Sequence, residues 1–312
     1  MFSRLTLTFT LTICVFQLFT QIPAGYYSAT DGLNGAALKS ALHNVIDDHN
    51  TYPYTSSNTD VWDILKESDR DPNNPSNVIL FYSGWSVNAD QEYNSGSGWS
   101  REHVWAKSRG DFGTSQGAGT DAHHLRPVDV SVNSARNNRW FEEADFEYID
   151  GDGATGCFTS SSQWVWEPRP EVKGDVARII FYMVVRYEGD DGWPDLEMND
   201  LVNNGGPYMG KLSILLQWHL EDLIRNPNID SNKGLELKHR IDKSNQNRTD
   251  IVEKVDDYYF SIFKNTSEKD SKLNTESPGW VVDRLSILNL KIYHMNEQLE
   301  RKNVTAEHIL NC

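Results

Sequence analysis

Cysteine is scarce: the 312-residue chain has three, at positions 14, 157 and 312. That excludes a disulfide-built scaffold and a cysteine-rich zinc module, so the fold must rest on an apolar core. Positive charge is also in short supply, and the net charge of −16 excludes general affinity for polyanions, because most of the surface repels them. After residue 24 no apolar run is long enough to span a bilayer, so the mature form is expected to have no membrane contact. There is no helical His-Glu-x-x-His spacing, no complete calcium loop and no internal repeat. The acidic turns at 150–153 and 188–192 therefore read as solvated turns.

What is present begins with Arg4 followed by an apolar run over residues 5–19, broken only by threonines and Gln17. This is the pattern of a secretory signal peptide over residues 1–24, with cleavage near Ala24 and Cys14 lost with it. Secretion leaves Cys157 and Cys312 to bridge each other, to bridge another molecule or to remain free thiols. Sequons at Asn247, Asn265 and Asn303 fit a secreted glycoprotein.

Apolar periodicity predicts a helix from Leu33 to Ile46, a short one starting near Val61, and a strand over residues 77–82. Strands are expected over 99–105 and 123–128, separated by a glycine-rich excursion at 110–120 and followed by a helix over 131–141. A helix over 174–187 has almost no polar face and must be buried, which makes Arg178 on it conspicuous; an ion pair is the expected use. Further helices are expected around Leu212 to Leu223 and over 235–246. A polar linker at 265–278 and an amphipathic helix at 285–299 would complete the chain. The domains then read 25–263 for the main body and 264–312 for a C-terminal extension.

The segment from Trp99 to Trp140 concentrates the chemistry. Glu102 offers a hard oxygen ligand, His103 an imidazole able to take a proton near neutral pH, and Asn133 a neutral amide oxygen. Arg101, Lys107, Arg109, Arg126, Arg136 and Arg139 outnumber the acids Glu102, Asp111, Asp121 and Asp129, which fits a basic cleft inside an acidic shell, while spacing alone fits scattered solvated charges nearly as well. A base, a metal site and phosphate-binding cations together are what phosphodiester hydrolysis needs.

Arg101-Glu102-His103-Val104-Trp105-Ala106-Lys107-Ser108 and Asp121-Ala122-His123-His124-Leu125-Arg126-Pro127, running on through Asn133 to Arg136, resemble the two motifs of the endonuclease I family. These are secreted, sugar-nonspecific nucleases of the His-Me finger or ββα-metal group, and the likeness is strongest to the bacterial extracellular ribonuclease-type members. Trp166-Glu167-Pro168-Arg169, residues 173–178 and Leu215-Leu216-Gln217-Trp218-His219 resemble further family blocks, and the likeness runs from about residue 22 to 255.

The resemblance implies an α+β fold, mainly helical, around a ββα-metal core. It makes His103 the general base and assigns Glu102 and Asn133 to one catalytic divalent cation, Mg2+ or alternatively Ca2+ or Mn2+. Arg126 first, then Arg101, Arg136, Arg169 and Arg178, are candidates for holding phosphates, with His124 in support and His123 structural. The sequence does not pick out the acceptor that fixes the His103 tautomer; a backbone carbonyl in the glycine-rich excursion is one candidate. The implied reaction is metal-dependent cleavage of RNA and DNA to 5′-phosphate ends. Gln246-Asn247-Arg248 stands where the family has a buried asparagine, which implies a buried, unglycosylated Asn247. Two rivals are a zinc hydrolase built on His103, His123, His124 and Glu102, and a catalytically weak binding protein for nucleic acid or glycan that uses its ten tryptophans as ring platforms.

Overall fold

The computed structural model describes residues 22–189, 192–202, 206–264 and 277–281. Residues 1–21 of the expected signal peptide, Cys312, the sequons at Asn265 and Asn303, and the helix expected at 285–299 lie outside the described residues. The chain separates into two compact units, 1–219 and 220–312, where the sequence had suggested a boundary at 263.

The first unit opens with α1 (Gly35–Ile46) and α2 (Val61–Ser68), both where periodicity places them. Asp60 caps α2 by accepting from Trp62 N at 2.8 Å and Asp63 N at 3.4 Å, while the Asp63 carboxylate accepts from Asp60 N at 3.1 Å. This reciprocal capping box fixes where Trp62 leaves the helix. A three-stranded antiparallel sheet follows, of β1 (Arg70–Asp71), β2 (Asn74–Ile79) and β3 (Ser86–Asn88). β2 ends three residues earlier than expected because Leu80 starts a tight turn, its carbonyl accepting from Gly84 N at 2.7 Å.

β4 (Trp99–His103) leads through the short α3 (Lys107–Gly110) and the glycine-rich excursion to β5 (Leu125–Asp129), which pairs antiparallel with β4 and runs directly into α4 (Val130–Arg136). Strand, excursion, strand and helix thus occur in the expected order, with three boundary corrections. β4 stops at His103 rather than at 105. His123 and His124 precede β5 in a turn, because the Asp121 carboxylate takes His123 N at 2.9 Å and the Asp121 carbonyl takes His124 N at 3.2 Å. α4 stops at Arg136 rather than continuing to 141, since Asn137 adopts φ +51° and its N–H bonds back to Asn133 O at 2.9 Å.

Trp140 and Phe141 form β6 instead, in the sheet order β6-β9-β8-β7 with β7 (Phe146–Asp150), β8 (Gly153–Thr159) and β9 (Val165–Glu167). α5 (Lys173–Arg186) is the buried helix anticipated from its composition. Arg178 on it is only half-buried and pairs with Asp175 one turn back at 2.7 Å, so it is a surface ion pair; the buried arginine of this helix is Arg186. A short parallel pair, β10 (Glu197–Met198) and β11 (Tyr208–Met209), precedes α6 (Leu212–Arg225), within which the two units divide.

The core of the first unit is aromatic: Trp99, Trp105, Trp140, Trp166 and Trp218 are all fully buried, with Tyr82, Phe141 and Tyr187. Half of the ten tryptophans are therefore packing residues. Cys157 is a buried free thiol that donates to Tyr82 O at 3.1 Å, and burial pushes it up to about 12. In the second unit the described structure is dominated by α7 (Ser231–Phe263), a single helix where the sequence suggested one over 235–246. Asn247 lies on it and is exposed, which corrects the expectation of burial there. Among the described residues no helix is long and apolar enough to cross a membrane.

The capping box makes a prediction. Asp60 is buried and also takes Ser56 N at 2.8 Å, so Asp60→Ala leaves three donors short and should cost about 1–2 kcal/mol in urea denaturation. A loss below ~0.3 kcal/mol would contradict the cap's role.

Candidate active site

A cleft of about 590 Å³ opens beside the β4–α4 junction, within the size range of ligand sites. Glu102, His103, Asn133, Arg101 and Arg136 all line it, together with Lys107, Tyr54, Trp62 and Tyr93. Alternation along β4 does not explain adjacent Glu102 and His103 both reaching it. His103 ends the strand, which frees its side chain from the pleat.

Glu102 is buried and its Oε1 meets Arg136 Nη1 at 3.0 Å and the Tyr82 hydroxyl at 3.0 Å. Burial raises its carboxyl to about 7 against the pull of Arg136 and Tyr82, so the one guanidinium does not fully offset the loss of water. Arg136 is itself completely buried. It also donates to the carbonyls of His103 at 3.1 Å, Val104 at 2.6 Å and Asn137 at 3.0 Å. One planar fork thereby ties the end of β4 to the end of α4.

His103 is 5% exposed, and its Nε2–H donates to the Gly119 carbonyl at 2.9 Å. The acceptor that the sequence left unidentified is thus a carbonyl of the excursion, one residue from its end. The bond puts the proton on Nε2 and leaves the Nδ1 lone pair as the basic position. Burial, with His124 and the cations Lys107 and Arg101 nearby, holds the ring well below the usual imidazole range despite the Gly119 bond. His103 is neutral near pH 7 and able to accept a proton. Tyr54 stacks on it at 5.8 Å.

His124 hangs from the preceding carbonyl, donating Nε2–H to Ala118 O at 2.7 Å, with its ring 5.4 Å from His103. It is fully buried and does not line the cleft. Two glycines make this loop possible. A Cβ on Gly119 would lie 2.5 Å from Gly113 O, and one on Gly117, at φ +112°, 1.9 Å from the Trp193 ring.

The loop's exit is held by Asp121, which sequence reading counted only as a local acid. Its Oδ2 accepts from Tyr182 of α5 and from Tyr187 just past the helix end, each at 2.8 Å, and its Oδ1 from His123 Nδ1 at 2.9 Å. Burial works to raise this carboxyl, but the His123 bond and the surrounding histidines hold it well below the carboxylate range. His123 is held there against Asp121, with its ring stacked on Tyr182 at 4.6 Å.

Asn133 donates its amide Nδ2 to Ser100 Oγ at 2.9 Å, which leaves Oδ1 as the atom able to ligate. The Arg101 guanidinium is fixed between the rings of Tyr54 at 3.4 Å and Trp62 at 4.0 Å. The remaining arginines fall outside the cleft. Arg126, the first choice for a phosphate clamp, faces Asp69 at 3.7 Å. Arg169 donates to Phe81 O at 2.9 Å and pairs with Glu171 at 3.1 Å. Tyr54 and Trp62 carried no signal in the sequence, since they come from a loop and a short helix far from the motif. Among the described residues no group of three or more His, Cys, Asp or Glu side chains is arranged to hold a metal, so any cation site here needs Asn133 and water to complete it.

Two comparisons bear on this geometry. Residues 213–312 match a family described as a protein of unknown function, DUF4254. The chain is 52% identical over 198 residues to the extracellular ribonuclease of Bacillus subtilis (strain 168), covering 63% of this chain and 66% of that protein. It is 54% identical over 198 residues to the extracellular ribonuclease of Bacillus amyloliquefaciens, covering 63% and 65%. The chain thus spans just under two thirds of the length of the curated relatives it matches.

The site yields two predictions. Arg136→Met strands the Glu102 carboxylate in the core and should destabilise the protein by about 3–5 kcal/mol in denaturant titration, well beyond the ~0–1 kcal/mol of a surface pair. The second concerns acid. Burial first, against the opposing effects of Asp121 and the Ala118 bond, lowers His124 to about 4 from its ordinary 6.5. Between those values the unfolded chain binds a proton that the folded chain refuses, so His124 costs stability as pH falls from about 6.5 toward 4. His124→Gln should lose less stability than wild type between pH 7 and pH 4, by on the order of 3 kcal/mol. Equal losses would contradict a buried neutral His124.

Proposed function

We propose that this chain is a secreted endonuclease that hydrolyses phosphodiester bonds of RNA and DNA with little sequence specificity, on a ββα-metal core of the endonuclease I type. The observation that carries the reading is the His103 bond to Gly119: a buried neutral imidazole, with its lone pair on Nδ1, in a cleft it shares with Glu102, Asn133, Arg101 and Lys107. The order β4, β5, α4 agrees with that core, and the relatives' name speaks of RNA.

In this reading His103 Nδ1 takes a proton from the attacking water, a contribution of roughly 10²–10⁴-fold for a positioned base. Glu102 and Asn133 hold one divalent cation, Mg2+, Ca2+ or Mn2+. The donor set fits such an ion: both oxygens are hard, two protein ligands leave room for water and phosphate, and the Arg136 and Tyr82 contacts of Glu102 share one oxygen, Oε1. When bound, the cation supplies charge stabilisation at the phosphate and leaving oxygen. Arg136 holds Glu102 and the His103 backbone, while Arg101 and Lys107 attract the phosphates. No ribose hydroxyl takes part, so the sugar does not matter, and cleavage leaves 5′-phosphate ends. The acidic remainder of the surface confines polyanion binding to the cleft.

The test is incubation of the purified mature protein with plasmid DNA and structured RNA, with Mg2+, Ca2+ or EDTA, beside His103→Ala. Cleavage of both polymers with a divalent cation, its loss in EDTA, and a fall of roughly 10²-fold or more in His103→Ala are expected. Full activity in His103→Ala, or no cleavage with any metal, would defeat the proposal.

A further inference from the structure

Tyr93 is, among the described residues lining the cleft, the one large apolar side chain left mostly exposed, at 58%. Its backbone is unusual as well. Tyr93, Asn94 and Ser95 take φ values of +48°, +39° and +57°, three successive non-glycine residues in the left-handed region. For a bulky aromatic this conformation costs stability and persists only where surrounding bonds enforce it.

Those bonds are present. Tyr93 N–H donates to Trp99 O at 2.7 Å, and its carbonyl accepts from Gly96 N at 2.7 Å and Gly98 N at 3.2 Å. Gly98 lies so close to the strand entry that a Cβ there would sit 1.9 Å from Gln91 O. Lys66 of α2 pairs with Glu92 beside it. A locked turn therefore holds an aromatic ring in water at the cleft mouth, where glycine would relieve the backbone and a polar residue would suit the solvent. By contrast Trp164, another exposed aromatic of this unit, has Arg139 over its ring at 3.8 Å and does not line the cleft.

The occupant follows from what surrounds the ring. The same cleft presents Arg101, immobilised between two aromatic rings, and Lys107, both suited to phosphate. Cations along a groove with an aromatic platform are the combination that binds single-stranded nucleic acid, because every base has a π-face to stack. A ring already fixed by its backbone gives up little freedom on stacking. The geometry points to a nucleobase subsite at Tyr93, which stacks an unpaired base of the strand whose phosphodiester lies in the cleft, so that the cleft favours single strands over duplex. This rests on the nuclease reading for its ligand but not on cleavage itself.

The experiment measures binding in a His103→Ala background, where no cutting is needed. Fluorescence anisotropy in Ca2+ compares a short single-stranded RNA, an abasic oligonucleotide of equal length and a duplex. Tyr93→Ala should weaken the base-bearing strand roughly 5- to 150-fold, the range for one stacked base, and leave the abasic strand unchanged. Tyr93→Trp should retain affinity, and Phe146→Ala, an exposed aromatic outside the cleft, should have no effect. Tyr93→Gly should weaken binding like alanine yet raise the melting temperature, a split that a structural role would not give. Equal losses on base-bearing and abasic strands, no loss, or no binding of the base-bearing strand overturns the subsite. If the wild-type protein cuts no polymer but binding depends on Tyr93 and on bases, the catalytic reading fails and the subsite stands; cutting without that dependence gives the reverse.

Discussion

The site depends on Arg136. A fully buried guanidinium needs acceptors, and the two terminal nitrogens of this one find a carboxylate and three backbone carbonyls, while its Nε has no hydrogen-bond partner among the described residues. Those acceptors come from the end of β4 and the end of α4, so satisfying one cation fixes how strand and helix meet. Glu102 is held there, and the backbone of His103 with it. A lysine could not serve, because a point charge with three donors cannot address a carboxylate and three carbonyls in one plane.

A second constraint comes from the opposite side. The carbonyls of Ala118 and Gly119 each take the Nε2 proton of a buried histidine, and the loop that offers them has no room for side chains at Gly117 or Gly119. Asp121 fastens that loop to α5 and the residue just past it through two tyrosine hydroxyls. Beyond it, His49 lies 3.6 Å from the same carboxylate and takes a bond from Arg186 Nε at 3.1 Å. The buried helix is thus coupled to the tautomer of His103 through one short loop.

Much of this was legible in the sequence, for definable reasons. Apolar period located α2 and α5, because those helices bury mainly apolar residues, and it located α1 although His43 is its one buried residue. Glu102, His103 and Asn133 were legible as chemistry because their residue types and spacing suit it, and the structure brings them to one cleft. The arginines were not. Guanidinium suits phosphate, carboxylate and carbonyl alike, so Arg126, Arg169 and Arg178 looked equivalent to Arg101 until their partners Asp69, Phe81, Glu171 and Asp175 were known. Tyr54, Trp62 and Tyr82 reach the site from distant segments, and no local pattern marks a residue whose role is set by tertiary contact. The end of α4 depended on the positive φ of Asn137.

The central claim is that the backbone, through Gly119, makes His103 a base at Nδ1. The most direct measurement is the 15N spectrum of the His103 imidazole in the folded protein near pH 7, assigned by comparison with His103→Gln. The account predicts a neutral ring with the proton on Nε2 and the lone pair on Nδ1. A ring protonated at Nδ1, or charged at both nitrogens, would contradict it.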